Sequence, residues 1–294
     1  MNQHIESTIL KAATLIEALP YLQQFRGKTF LIKLGGSVME NELKMQALME
    51  DLVFLEVAGI NPVLVHGGGK AISAKMQQQG IAAEFEQGYR VTCEKSIKIV
   101  DQVLGQELSP QLASWINEKG GAATCVQGQK VFVGTPKQLT DDNGQSVDLG
   151  RVGNVTQVNI AEVKSIIAQE KIPVVTPLAQ EINHELPLNI NADLAAAALA
   201  QELQVTKLIY LSDVPGVLAD VSDRGSLIHS INETQAQELI NSGVIAGGML
   251  PKINSALETL KSGVEKIHFI DALMPHSLLL EIFTKEGIGT QIIH

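Results

Sequence analysis

Runs of aliphatic residues with no polar alternation recur along the chain, each followed by glycine or turn residues. Phe30-Leu31-Ile32, Pro62-Val63-Leu64-Val65, Ile172-Pro173-Val174-Val175 and Leu208-Ile209-Tyr210-Leu211 are of this kind, and residues 267–271 also read as a strand. A strand apolar at successive positions is buried on both faces, as in a parallel sheet covered by helices. Between these runs the apolar spacing changes to three and four. It predicts helices over residues 43–57, from 70 onward, and over 94–104, 109–119, 194–203, 233–239, 253–261 and 278–284. Residues 84–92 read as a short hairpin around Gln87-Gly88, and residues 123–133 and 152–158 as strands. Asp141-Asp142-Asn143-Gly144 is a hairpin turn signal. Residues 247–252 break the chain before the helix at 253, and a β pair closes the sequence. Strand alternating with helix gives an α/β fold with a mainly parallel sheet and helices on both faces. Its ligands are expected at the carboxyl edge of the strands.

One stretch stands outside this alternation. Ile5, Ile9, Ala12, Ala13, Ile16 and Leu19 form one stripe of an amphipathic helix ahead of the first strand. Pro20 and Arg26-Gly27 are expected to separate it from the core. Its stripe needs cover from its own subunit or from a second copy.

Chemistry is concentrated where strands end. Lys33 precedes Leu34-Gly35-Gly36-Ser37, and His66 precedes Gly67-Gly68-Gly69. Glycine lets backbone amides approach an anion closely, and a cation at a strand's carboxyl end is a usual phosphate neighbour. The plainer reading of either stretch is a tight strand–helix turn with a polar residue beside it. Neither matches G-x-x-x-x-G-K-[ST], and Ile72 stands where G-x-G-x-x-G needs its third glycine. Arg90 suits a two-pronged grip on a carboxylate if it faces these loops. Capping of the following helix explains one polar residue of Asn189-Ile190-Asn191-Ala192-Asp193, not three. His66 reads as structural, and Asp193 alone offers too few carboxylates for a metal cage.

Composition narrows the partners. The 294 residues are 45% hydrophobic and carry a formal net charge of −10, with no basic run, which disfavours a nucleic-acid surface. No apolar stretch is long enough to span a bilayer. Glu6, Lys11 and Glu17 interrupt any apolar leader, so a cytoplasmic protein is expected. Cys93 and Cys125 lack metal-ligand spacing and read as structural thiols in a reducing compartment.

Four pieces occur in order: Lys33-Leu34-Gly35-Gly36, His66-Gly67-Gly68-Gly69, Asn189-x-Asn191-x-Asp193 and Gly248-Met249-x-x-Lys252, with Gly88-Tyr89-Arg90 among them. Together they resemble the amino acid kinase superfamily and, within it, the acetylglutamate kinases of arginine biosynthesis. The resemblance runs from about residue 28 to the C-terminus. It implies an open αβα sandwich in which residues 28–194 form a lobe for the amino-acid substrate and 195–294 a lobe for ATP. Residues 1–27 then form an added helix for oligomerisation and regulation. It also implies roles for individual residues. Lys33 contacts the transferring phosphate, Lys252 reaches in from the ATP lobe, and Asp193 orients both lysines. Gly35 and Gly36 form the first phosphate loop, and Gly68 and Gly69 touch the substrate. Arg90 binds its α-carboxylate and Asn189 its acetylamido end. Ser212, Asp213, Gly216 and Val217 form a nucleotide loop. The substrates implied are N-acetyl-L-glutamate and ATP with Mg²⁺, with no tightly bound cofactor and no resident metal. An alternative is a kinase for a related acid, acetylaminoadipate or glutamate, since one methylene changes binding by only about 1–3 kcal/mol. A silent regulatory protein on the same fold is disfavoured by the intact Lys33, Asp193 and Lys252. The leading helix further resembles that of arginine-inhibited members, which are hexamers built as trimers of dimers. This implies an L-arginine site with Glu281, Gly287, His268 and Tyr21. Some relatives are controlled by a PII-type protein, for which this sequence carries no deciding motif.

Overall fold

Phe30, Leu31 and Ile32 are fully buried in β1 (Thr29–Leu34), the strand on which the central sheet is built. The computed structural model describes residues 3–36, 38–40, 42–141 and 144–294. Ahead of β1 lies α1 (Gln3–Phe25). Then come α2 (Glu42–Val57), β2 (Asn61–His66), α3 (Gly69–Gln78), and the hairpin β3 (Phe85–Glu86) and β4 (Tyr89–Arg90). Next are α4 (Glu94–Asp101), α5 (Ser109–Glu118), β5 (Ala123–Val126) and α6 (Gly128–Val131). They lead into β6 (Phe132–Pro136), the hairpin β7 (Leu139–Thr140) and β8 (Ser146–Val147), and β9 (Val152–Val158). The middle of the chain holds α7 (Ala161–Ile167), β10 (Ile172–Val175), β11 (Leu178–Glu181), β12 (Leu188–Ile190), α8 (Ala192–Leu203) and β13 (Lys207–Ser212). The last part holds β14 (Ser230–Ile231), α9 (Glu233–Asn241), α10 (Met249–Lys261), β15 (Lys266–Asp271), α11 (Ser277–Phe283) and β16 (Thr290–Ile292).

The sheet order among the described residues is β14-β16-β15-β13-β1-β2-β10-β5. Every pairing in it is parallel except β15 with β16. A closed set of β11, β12, β9 and β6 flanks it. Side chains on a strand alternate between faces. In β1, Phe30, Ile32 and Leu34 therefore join the apolar cluster with α2 and α5 residues Leu52 and Ile116. Leu31 joins the other cluster, with Ala195 and Leu199 of α8. Lys33 falls two residues from Leu31 and so shares the α8 face. Across the sheet, Lys33 lies opposite Val65 and Tyr210, and Leu34 opposite His66 and Leu211. The carboxyl ends of β1, β2 and β13 are thus level.

Several expected boundaries move. The leading helix does not stop at Pro20 but runs through it to Phe25. Ala18, Tyr21, Leu22 and Phe25 pack on the core, and this burial holds the last turns together despite the lost amide. Of the proposed stripe, Ile9, Ala12, Ala13, Ile16 and Leu19 are exposed, and the side chain of Ile5 lies outside the described residues. The helices expected over 94–104 and 109–119 are one continuous path, joined by a π-helical turn over Gln102–Leu108. Backbone angles stay helical at Gln102 and Leu108, and Pro110, which has no amide to give the helix ladder, follows directly on the π-helical turn. The strand expected over 123–133 is interrupted by α6, because Gly128 is pressed against the backbone of Thr176 and Leu178 and donates its amide to Thr176 Oγ1 at 2.8 Å. The last long helix begins at Met249, so Lys252 lies in its first turn, with Pro251 where proline is tolerated. The turn signal at 141–144 is flanked by antiparallel β7 and β8, though Asp142 and Asn143 are outside the described residues, as is Ser37. Cys93 and Cys125 are free but exposed, at the N-cap of α4 and on the sheet's end strand, so neither packs in the core. No described helix is long and apolar enough to cross a membrane.

Candidate active site

Lys33 Nζ lies 2.6 Å from Asp193 Oδ1. Asn191 caps α8 by accepting the amides of Asp193 at 2.8 Å and Leu194 at 3.4 Å, which fixes the first turn that carries the aspartate. The ion pair forms because β1 and α8 share one face of the sheet. Among the described residues Asp193 pairs with Lys33 only. Lys252, in the first turn of α10, lines the same cavity as Asp193.

The two glycine loops meet beside this pair. A Cβ on Gly36 would lie 3.1 Å from the Gly69 amide nitrogen and 3.4 Å from that of Gly68. The amides of Gly35 and Gly67 are spent on Leu211 O and Leu34 O, which pins the loops to the strand ends. A Cβ on Gly68 would fall 2.7 Å from Leu104 Cδ2 and 2.8 Å from Leu108 Cδ1, so side chains of the π-helical turn leave no room there. His66 anchors the second loop from below. Burial lowers its imidazole pKa to about 4, so it is neutral at physiological pH. Gly67 O, 2.9 Å from Nδ1, can only accept, so Nδ1 carries the proton and Nε2 accepts from the Ser109 hydroxyl at 2.6 Å.

Gly68, Gly69, Arg90 and Asn189 line one cavity of about 180 Å³. Arg90 is buried, with Nη2 donating to Gly69 O and Ser73 Oγ, both at 2.7 Å. Its guanidinium carbon lies 4.6 Å from the Phe85 ring centroid, and burial lowers its pKa. A second cavity of about 230 Å³ holds Asp193, Tyr210, Ser255 and Lys252. A third, of about 480 Å³, is lined by Asp213, Gly216, Val217, Met249 and Lys252. Tyr89 and Asn191 line the first and second, and Gly248 and Lys252 the second and third, so the three form one groove. Ser212 does not line it. This residue is buried and exchanges hydrogen bonds with Val214, shaping the loop from behind. At Gly216, φ is +143°, and the Thr290 side chain occupies the place of a Cβ. Among the described residues no three His, Cys, Asp or Glu side chains converge as a metal cage requires.

The sequence reading missed Thr92, Tyr210 and Ser255. Tyr210 sits in an apolar run that reads as core, and it does stack on Phe269 at 5.0 Å. Its hydroxyl nevertheless reaches Asp193 O at 3.4 Å. Thr92 carried no pattern that singles it out.

Tyr21, His268, Glu281 and Gly287 line a separate cavity of about 160 Å³ at the other edge of the sheet, with Lys207, Lys266 and Lys285. Lys207 Nζ donates to His268 Nε2 at 3.0 Å, and His268 Nδ1 donates to Glu281 Oε1 at 2.6 Å. Burial lowers the His268 pKa to about 4 and that of Lys207 to about 8. The histidine bond is thus a neutral donor to a carboxylate. Glu281 Oε2 takes the amides of Ile288 at 2.7 Å and Gly289 at 2.9 Å.

The model of the amino acid kinase family matches residues 28–271. The acetylglutamate kinase of Akkermansia muciniphila is 48% identical over 293 residues, covering 100% of this chain and 99% of that one. The acetylglutamate kinase of Caldanaerobacter subterraneus is 44% identical, with 97% and 93% covered. Among solved structures, N-acetylglutamate synthase from Neisseria gonorrhoeae with coenzyme A and N-acetyl-glutamate superposes with a TM-score of 0.84 at 26% identity. That match covers 96% of this chain, which spans 63% of the longer synthase. The same synthase with coenzyme A and L-arginine gives a TM-score of 0.80 at 25% identity, with 96% and 65% covered.

Proposed function

The chain belongs to the amino acid kinase family, among its acetylglutamate kinases, and from that premise we propose the reaction and the residues that carry it. The γ-phosphoryl group of ATP passes to the side-chain carboxylate of N-acetyl-L-glutamate, giving N-acetyl-L-glutamyl 5-phosphate. The observation that carries this reading is the Lys33–Asp193 pair beside the groove that joins the small cavity to the large one. The acid occupies the cavity of Arg90 and Asn189, in the lobe of residues 28–194. ATP, arriving with Mg²⁺, occupies the cavity of Asp213, Gly216 and Val217, in the lobe of residues 195–294.

Phosphoryl transfer asks mainly for positioning and for neutralisation of charge spread over the phosphoryl oxygens. The acceptor carboxylate has an ordinary pKa of about 4.3, so it is ionised at neutral pH and needs no general base. Buried, neutral His66 is accordingly free to hold the loop. Lys33 and the amides of Gly36, Gly68 and Gly69 meet the phosphoryl group from one side. Lys252 approaches from the other lobe, and Asp193 aims Lys33 and takes on Lys252 as the lobes close. Closure also shields the acyl phosphate from water. A hydroxylamine trap with MgATP tests the assignment. Acyl hydroxamate is expected with N-acetylglutamate, and its appearance only with acetylaminoadipate or glutamate overturns the substrate. Working on a free amino-acid derivative and ATP, the enzyme acts in the cytoplasm.

Regulation completes the reading. L-Arginine inhibits the enzyme by binding the cavity of Tyr21, His268, Glu281 and Gly287, and the leading helix joins three dimers into a hexamer. Support comes from the exposed apolar residues of α1 and from the adjacency of Tyr21, on that helix, to the cavity. The distant Neisseria gonorrhoeae synthase was also crystallised with L-arginine. Arginine there disfavours lobe closure and so acts without overlapping either substrate.

A further inference from the structure

We propose that Thr92 is a positioning residue that fixes which end of the Asn189 amide meets the substrate and ties that amide to the Arg90 strand. The proposal rests on the reading of Asn189 as the contact to the acylated nitrogen. The Thr92 hydroxyl is fully buried and lies between the two residues. Its proton is given to Arg90 O at 2.7 Å, because a carbonyl can only accept. Its oxygen is then an acceptor for any other partner. The atom of Asn189 that approaches it, at 3.3 Å, must therefore be the NH₂ group. This sets the amide orientation by hydrogen-bond logic. Asn189 Oδ1 is left with no protein donor among the described residues, on a side chain that lines the small cavity. A carbonyl oxygen there accepts from the N–H of an N-acylated amino acid. The reversed amide would present two donors to a donor.

The backbone around Thr92 is held independently of its hydroxyl. Thr92 N donates to Leu149 O at 2.9 Å, and Arg151 N donates to Thr92 O at 2.6 Å. Asn189 N in turn donates to Arg151 O at 2.8 Å. Arg151 thus ties both main chains, and replacing one side chain leaves that frame standing. Valine matches threonine in shape and lacks only the hydroxyl.

The test is a double-variant cycle read in steady-state kinetics. Thr92→Val is expected to raise KM for N-acetylglutamate about tenfold, the size of one lost oriented hydrogen bond, with KM for ATP unmoved. Thr92→Ser keeps the hydroxyl and should restore most of the affinity. Asn189→Ala should raise the same KM, and adding Thr92→Val to it should change little more, because the two act as a unit. Multiplicative effects of the two substitutions overturn the role of Thr92 alone. An unchanged KM for N-acetylglutamate in Asn189→Ala overturns the Asn189 contact and the proposal with it. A rise in both substrates' KM, or no rescue by serine, makes Thr92 structural only.

Discussion

The carboxylate of Asp193 lies 2.6 Å from the ammonium of Lys33, which joins the first strand of the sheet to the first turn of α8. The pair is mostly shielded, with side chains 11% and 19% exposed. Lys33→Met is expected to lower kcat by about 10²–10³-fold, as loss of a preorganised charge at a transition state does. Asp193→Asn keeps the lysine but releases its aim, so the loss should be smaller. Turnover at saturating substrates, with circular dichroism as the folding control, checks both. An unchanged rate in Lys33→Met removes that residue from the chemistry.

Gly68 and Gly69 are adjacent yet differently constrained. A methyl at Gly68 meets Leu104 and Leu108 inside 3 Å, whereas a methyl at Gly69 meets nothing within 4 Å. Gly68→Ala is expected to cost about 1–3 kcal/mol by overpacking. Gly69→Ala should leave stability within about 0.5 kcal/mol, as open positions do. Urea denaturation of the two variants measures the contrast.

Acid should destabilise the protein through its buried histidines. His66 and His268 titrate at about 4 when folded, held down first by burial, against an ordinary value of 6.5. Between those values the unfolded chain binds protons that the folded chain refuses. Stability is therefore full above pH 6.5 and falls as pH drops toward 4, by on the order of 3 kcal/mol per histidine. Asp51 opposes this. Burial raises its pKa from 3.8 to about 6, against the pull of His276, so it adds stability as pH falls through that range. Two histidines outweigh one aspartate, and Tm should decline between pH 6.5 and 4.5. His66→Asn keeps a donor for Gly67 O and should flatten the decline.

The packing of α1 sets where a truncation should fall. Ile9, Leu15, Ile16 and Leu19 are exposed, whereas Phe25 is buried, 5.2 Å edge-on to Phe30 and 5.3 Å beneath the Lys207 ammonium. Deleting residues 1–26 removes that ring from the core, at a cost of about 3–5 kcal/mol. Deleting 1–19 removes the exposed stripe and, of the α1 side chains that pack on the core, only Ala18. The shorter deletion should give an active dimer that L-arginine no longer inhibits. A hexamer by light scattering, or full arginine inhibition, refutes the role of the helix without touching the kinase.

Local pattern carried far along this chain. The apolar runs identified the buried strands, and the helix over 42–57 and the hairpin at Gln87-Gly88 stand where spacing indicated. Runs of this kind are legible because burial on both faces leaves no polar position to vary. Boundaries failed where a distant contact overrides a local signal. Pro20 did not end α1, because Phe25 gains more from burial than the helix loses at one amide. Nothing near residue 102 announces the π-helical turn, whose leucines fill the space that Gly68 leaves.

By itself the sequence determined the α/β class, the strand-end glycine loops, and the order of Lys33, Arg90, Asn189, Asp193 and Lys252, because these follow from residue type and spacing. Only the tertiary structure decided which of them meet. Asp193 is paired with Lys33 because alternation along β1 turns that lysine to the α8 face, while Lys252 reaches the same cavity from α10. Thr92 gained its place between Arg90 and Asn189 in the same way. Its bond to Arg90 O is local, but the one from Asn189 depends on a loop and a strand about a hundred residues apart being brought to within 3.3 Å, a distance that no local spacing encodes.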